Sequence, residues 1–357
     1  MWENEARIDL GQKTPSASVI IVNFNGGDWL ARCVESILNQ SLPDYECFIV
    51  DNGSTDGSLE ILSKLDDRFK IIKVGKNVGF AAANNIAAKK ARADWLATLN
   101  PDAFAHETWL ETLLATPRMG NPVTMIGSRQ NMALEPDILD GLGDFYHVTG
   151  LAWRAGFGHS RDRNIIDLHE AFGPCAAAAL YHRETFLRLG GFDESFFCYH
   201  EDVDLAYRFR LDGGICLQNN RAIVDHASSG IAGRASDFAV YHGTRNRIWT
   251  FMKNTPTLIK LYALPAHLLM NLVMLGWAIF RLNRVNPTLR GMRDGFFRRP
   301  KTVRNSPKVL PGKIQAAMVW WPMTLVQRDV PCIDTVPEAE RRINESTSRR
   351  STPGTGY

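Results

Sequence analysis

Residues 18–24 read SVIIVNF, a run whose four central positions, Val19 to Val22, are all β-branched and apolar. A strand at a solvated sheet surface alternates apolar and polar residues. One that does not alternate is expected inside a parallel sheet covered on both faces. The flanking sequence agrees. A helical pattern follows through DWLARCVESILNQ (28–40), then a strand CFIVD (47–51), a helix after Asp56, a strand KIIKV (70–74), a helix through FAAANNIAAKKA (80–91) and a strand WLATLN (95–100). This alternation is a βαβ nucleotide-binding half. Ligands in such sheets sit beyond the carboxyl ends of the strands, so the residues to inspect are 23–27, 51–57, 75–79 and 100–102.

Further along, residues 120–170 carry Gly, Asp and Arg without clear periodicity and read as a long irregular excursion. A second βα section then begins with CAAAALY (175–181), a helix from about Arg183, the turn GGFDESFF (190–197), an acidic helix start HEDVD (200–204) and a strand ICLQNNRAIVDH (215–226). Residues 261–280 contain no Asp, Glu, Lys or Arg, and 281–304 carry eight basic residues against Asp294 alone. As a helix the first stretch spans about 30 Å, and the basic stretch matches what holds proteins to anionic headgroups. Pro265, His267 and Asn271 make it a poor membrane-crossing helix, and Trp320 and Trp321 fit an interfacial belt. The tail has a disordered composition.

A chain of 357 residues with 45% hydrophobic content holds one large domain with appendages, or two domains. The net charge of +3 is too small to imply a nucleic-acid partner, and no basic stretch is interleaved with aromatics, so none is expected. The six scattered cysteines form no CxxC pair and point to a reduced protein. MWENEARIDLGQK (1–13) has no apolar core of a signal peptide. A dinucleotide dehydrogenase is disfavoured by the missing GxGxxG after the first strand.

Five features carry chemistry. Asp51 ends a strand ahead of NGSTDGS, where it can accept hydrogen bonds from a base or ribose, or form an Asx turn. Gly79 opens a small-residue helix suited to close packing. Asp102, in LNPDA (99–103), is a carboxylate at the ligand edge, of the kind a hard divalent cation needs. His226 closes a strand at that same edge. Glu201, Asp202 and Asp204 crowd three acids into four positions beside aromatic residues, which is either a solvated helix start or a group held for proton transfer.

Taken together and in this order, SVIIVNFNGGDWLARCVESILNQ, VDNGSTDGS, NVGFAAANN, LNPDA, GGFDESFFCYHEDVDLAYRFR and VDH resemble the family 2 glycosyltransferases, and in particular their bacterial rhamnosyltransferase-like branch. The resemblance runs from about Ser18 to Asn254. It implies an α/β chain of the GT-A fold, a Rossmann-like, mostly parallel sheet flanked by helices, with a C-terminal membrane-associated helical extension. The implied organisation is an extension at 1–16, a GT-A domain at 17–254 (nucleotide half to about 115, acceptor half from about 116), a helical region at 255–330 and a tail at 331–357.

The implied activity is inverting transfer of a rhamnose-like sugar or hexose from a dTDP- or UDP-linked donor to a hydroxyl of a glycan or polyprenyl-diphosphate-linked acceptor. It implies Asp202 as catalytic base, with Glu201, Asp204 and Asp193 on the acceptor side. Donor contacts fall to Asn23, Asn25, Asp51, Asn52, Gly53, Asn77, Gly79 and Asn100. Asp102 and His226 would hold a divalent cation, Mg2+ or Mn2+. The motif reads Asn100-Pro101-Asp102 where the family has Asp-x-Asp, leaving one carboxylate. The implied location is the inner face of the cell membrane. Alternatives are a polyprenyl-phosphate sugar synthase of the same fold, whose phosphate acceptor has less need of the base in HEDVD, and a non-catalytic nucleotide-sugar-binding protein.

Overall fold

The computed structural model describes residues 13–62, 65–116, 123–228, 236–298, 300, 308–321 and 328–331. In chain order the elements are β1 (Ala17–Asn23), α1 (Gly27–Leu38), β2 (Tyr45–Asp51), β3 (Phe69–Lys73), α2 (Phe80–Lys90), β4 (Trp95–Leu99), β5 (Ala103–Ala105) and α3 (Trp109–Leu114). Next come β6 (Val123–Met132), β7 (Leu139–Gly141), β8 (Asp144–Tyr146), β9 (Ala152–Arg154), β10 (Leu168–Ala171), β11 (Ala178–His182), α4 (Arg183–Arg188), α5 (Glu201–Leu211) and β12 (Ile215–His226). Four helices follow: α6 (Asp237–Asn254), α7 (Thr257–Trp277), α8 (Val285–Phe297) and α9 (Pro311–Ala317).

The central sheet has the order β10-β12-β6-β11-β4-β1-β2-β3, with β5 paired to β12 and β7 to β6. Strands β1, β2, β3 and β4 are mutually parallel, β11 runs against β4 and β6, and β12 runs parallel to β6. Six of the eight strands along that path therefore point the same way, and β11 and β10 oppose them. All seven residues of β1 are buried. Ile20 and Val22 enter one core, and Val19 and Ile21 enter the other across the sheet. Burial on both faces is why the run carries no polar alternation.

Three expectations are corrected. The chain from Ser58 to Ile61 runs as turns, not as a helix, and Ile61 is exposed. Residues 120–170 are not a loose excursion: from Val123 they build β6 to β10, and Phe145 and Tyr146 are fully buried. The polar residues that made the stretch read as irregular are there because its strands are short and line the ligand edge. The region from 255 is also not separate from the sheet domain. Ile259, Ala263, Ile314 and Val319 share one hydrophobic core with Ile20 and Phe48. Cys33, Cys47, Cys175, Cys198 and Cys216 are free thiols, while Cys332 and the tail from 332 lie outside the described residues.

Candidate active site

The pairing of β5 with β12 builds the first half of the site. Residues Ala103 and His226 are register partners, and Ala227 N–H donates to the Asp102 carbonyl at 2.9 Å. Asp102, one residue before β5, is thereby brought to the end of β12, and its Oδ1 lies 3.3 Å from His226 Nε2. The other ring nitrogen, Nδ1, is 2.8 Å from Asp140 Oδ2. Asp140, on β7, also takes a hydrogen bond from Arg154 Nη1 at 2.5 Å and a short one from Ser228 Oγ. Burial disfavours a charged His226, but hydrogen bonds to Asp102 and Asp140 outweigh it and raise its proton affinity. Burial likewise pushes Asp140 up, and the Arg154 charge with the His226 hydrogen bond holds it well below the ordinary carboxylate range.

The loops expected to contact a donor fall into two groups. Asn52, Asn77, Gly79, Asn100, Asp102 and His226 line a cleft of about 940 Å³. Within it Asn52 Nδ2 donates to Asn77 Oδ1 at 3.0 Å, and the side-chain Oδ1 atoms of Asn52 and Asn77 accept the N–H groups of Val78 and Gly79. Gly79 has φ +88, and a Cβ there would lie 2.6 Å from the Phe197 carbonyl. Beneath the cleft, Asn23, Asn25, Asp51 and Gly53 shape the loops. Asn23 Nδ2 binds Ser54 and Ser58, Asn25 Oδ1 accepts the Thr55 N–H, and Asp51 Oδ1 accepts the Ser54 N–H three residues on. Gly53, at φ +82, leaves no room for a Cβ against Lys76.

The second half gathers at the start of α5. A contiguous cavity of about 400 Å³ is lined by Asp144, Arg154, Cys175, Ala176, Glu201 and Asp202, and its wall at Asn100, Trp153 and Arg154 also lines the larger cleft. Asp202 Oδ2 accepts the Ala176 N–H at 3.2 Å and Oδ1 the Val203 N–H at 2.8 Å. Ala176 is there because the Ala177 carbonyl binds the Asn100 N–H where β11 meets the end of β4. Burial raises the proton affinity of Asp202 against the lowering effect of those bonds and of Arg154. Glu201, buried and with Oε2 unpartnered among the described residues, is raised further by burial and by Asp202.

Ligand atoms of Asp144, Cys175 and Asp202 lie within 4.8 Å of one another. Burial and then the Asp202 charge push Asp144 up to about 8, and burial pushes the Cys175 thiol up to about 12. The buried Arg154 charge acts on all three groups. This cluster is suited to handling protons.

Two residues assigned to the acceptor side are elsewhere. Asp204 is fully buried, bonded to Arg208 Nε at 2.8 Å, Asn254 Nδ2 at 2.7 Å and Lys253 Nζ at 3.0 Å. Asp193 caps a short 3-10 turn and binds the same Lys253 Nζ at 2.7 Å. Both belong to a buried ion network under α5, and Asp204 joins it because it stands about half a helical turn from Asp202, the second of the three acids of HEDVD. Sequence reasoning missed Asp140, Asp144 and Arg154. Their one visible signal was a density of Asp and Arg between glycines in a stretch too polar for a core.

Residues 18–189 match the family model Glycosyl transferase family 2. An uncharacterized glycosyltransferase of Haemophilus influenzae is 28% identical over 215 residues, 58% of this chain and 64% of its own, so the match spans less than two thirds of that relative. An N-acetylglucosaminyl-diphospho-decaprenol L-rhamnosyltransferase of Mycobacterium tuberculosis is 27% identical over 252 residues, 63% of this chain and 80% of its own. Among solved structures, GalNAc-T7 with UDP, GalNAc and Mn2+ superposes with a TM-score of 0.55 at 18% identity, over 68% of this chain and 48% of its own. That likeness extends to the fold, which is GT-A. The match from β1 to α4 identifies residues 18–189 as a family 2 glycosyltransferase domain.

Proposed function

We propose that the protein is an inverting glycosyltransferase of bacterial surface-polysaccharide synthesis. It moves a rhamnose-like sugar or a hexose from a dTDP- or UDP-linked donor to a hydroxyl of a glycan or polyprenyl-diphosphate-linked glycan. The observation that carries this reading is the pair of joined cavities, one lined by the donor motifs and the other by Asp202, with Asn100 and Arg154 in their common wall. A sugar carbon at that wall has a leaving diphosphate on the Asp102 and His226 side and an attacking hydroxyl on the Asp202 side. Attack and departure from opposite sides invert the anomeric centre in one displacement.

Asp202 takes the proton of the attacking hydroxyl as the new bond forms, a role favoured by its raised proton affinity. Glu201 and Asp144 line the same cavity and offer oxygens to the acceptor's other hydroxyls. Asp102 and His226 fit a divalent cation: one oxygen and one ring nitrogen sit side by side, and Asp140 orients the imidazole from behind. Mg2+ or Mn2+ held there would offset the charge of the leaving diphosphate. The uncharged run 261–280, most of it in α7, and the basic segment after it support peripheral attachment to the inner membrane face.

The reading is tested by incubating the full chain with a panel of nucleoside-diphosphate sugars, with and without Mg2+ or Mn2+, and following nucleotide binding and diphosphate release. Binding of one dTDP- or UDP-sugar that weakens in chelator and in Asp102→Ala is expected. Full binding and turnover in excess chelator would remove the metal from the proposal, and absence of binding across the panel would remove the activity.

A further inference from the structure

Two elements that take no part in the chemistry support the β8–β9 hairpin, which delivers Asp144 and Arg154 to the cleft. From α7, His267 Nδ1 donates to the Thr149 carbonyl in the hairpin turn at 2.7 Å, and its ring stacks on Phe251 with centroids 3.9 Å apart. Gly150 in that turn has φ +88, and a Cβ there would sit 2.7 Å from the imidazole, so the helix presses directly on the turn. From the segment after α9, Val319 N–H donates to the Tyr146 carbonyl at 2.9 Å, and its own carbonyl accepts the Val148 N–H at 3.1 Å.

The far side of both supports is apolar and uncovered. Leu261, Leu269 and Leu272 on α7 are 71%, 62% and 61% exposed, and Trp321 is 70% exposed. The inward stripe of α7 is Ile259, Ala263, His267 and Asn271, with Asn271 Oδ1 accepting from Arg247 at 2.9 Å. The helix is thus reversed relative to an ordinary surface helix, with its polar groups against the protein and its leucines outward. A membrane-crossing helix would have to carry His267 and Asn271 into hydrocarbon and give up these bonds. Charge identifies the occupant of the outward face: residues 257–321 contain eleven Lys and Arg and one acid, Asp294.

We propose that the outward face of α7, together with Trp320 and Trp321, lies in the plane of an anionic bilayer's interfacial layer, and that docking there acts through His267 and Val319 on the β8–β9 hairpin. The Asp144 and Arg154 side of the cleft is then held firm at the membrane surface. A helix is about 10–12 Å across, so the hairpin turn stands roughly that far from the lipid, within reach of a lipid-tethered acceptor. This inference rests on the membrane attachment proposed above and adds its geometry and its effect on the cleft.

The test is hydrogen exchange of the full chain with and without vesicles of phosphatidylcholine, alone or mixed with phosphatidylglycerol, alongside co-sedimentation. The chain is expected to sediment with the anionic vesicles. Amides of residues 144–154 should exchange about tenfold more slowly when lipid is at ten times its apparent Kd. Leu269→Ser with Leu272→Ser should abolish both effects while leaving the lipid-free melting temperature unchanged. Sedimentation with unchanged exchange in 144–154 overturns the coupling and leaves the attachment standing. Failure to sediment overturns the attachment itself, and a lipid-free dimer dissolved by the double variant reassigns the face to a second copy.

Discussion

Asp202 and Asp204 are two residues apart and have opposite fates. Asp204 is neutralised by Lys253 and Arg208, while Asp202 opens on the cavity, bonded to the backbone N–H groups of Ala176 and Val203. Asp202→Asn should lower turnover by about 10²- to 10⁴-fold with donor affinity unchanged. Transfer rate and nucleotide affinity on one preparation check this, and retained turnover would move the base to Glu201. Asp144 makes a prediction about stability and pH. With a folded pKa of about 8 against an ordinary value near 4, the folded chain keeps a proton that the unfolded chain releases as pH rises between those values. The stabilisation from that proton is complete at pH 4 and is lost as pH approaches 8. Asp144→Asn lacks this slope, so its stability relative to the parent should rise from pH 5 to pH 8. Urea midpoints at the two pH values measure it, and a constant difference would mean Asp144 is ionised throughout.

The turn entering α5 shows how an element sets the geometry of the site. Phe197, Tyr199 and His200 all have φ between 65° and 69°, a left-handed conformation that L residues other than glycine adopt at a cost of about 1–3 kcal/mol each. Asn246 on α6 holds the turn, its Nδ2 lying 3.0, 2.9 and 2.7 Å from the carbonyls of Phe196, Cys198 and Tyr199. Asn246→Ala takes the side-chain donor from the Cys198 and Tyr199 carbonyls, while that of Phe196 keeps Arg245 Nη2 and the Cys198 N–H, and should cost about 2–3 kcal/mol. Since a displacement of about 1 Å at the reacting groups is worth up to 100-fold, turnover should fall at least tenfold although Asn246 touches no substrate. Thermal melts and rates at saturating donor separate the two effects. A destabilised variant with full turnover would show that the turn keeps its shape unaided.

For the molecule as a whole, α7 to α9 are part of the catalytic unit. Ile259, Ala263 and Ile314 sit in the same core as β1, and Asn271 meets the buried Arg247. Deleting residues from Thr257 onward should therefore give a chain that aggregates and lacks a cooperative melt, as checked by size-exclusion chromatography and calorimetry. A soluble truncated chain with the parent's melting temperature would restore the view of this region as an appendage.

The uninterrupted apolar runs of β1, β2 and β4 revealed the parallel sheet and its ligand edge before any coordinates, because burial on both faces constrains residue type locally. The same constraint made Asp102 and His226 legible as edge residues, while Asp202 stood out only as one of the crowded acids of HEDVD. Asp140, Asp144 and Arg154 were not legible, since short strands of three residues carry too little periodicity to register and their role arises from where β7, β8 and β9 fold back. The separation of Asp202 from Asp204 was likewise invisible in HEDVD, because the partner that buries Asp204, Lys253, comes from a helix some fifty residues away. Composition announced that α7 is apolar. Which way its leucines face was set by the bonds of His267 and Asn271 to Thr149 and Arg247, contacts across the fold that no local pattern encodes.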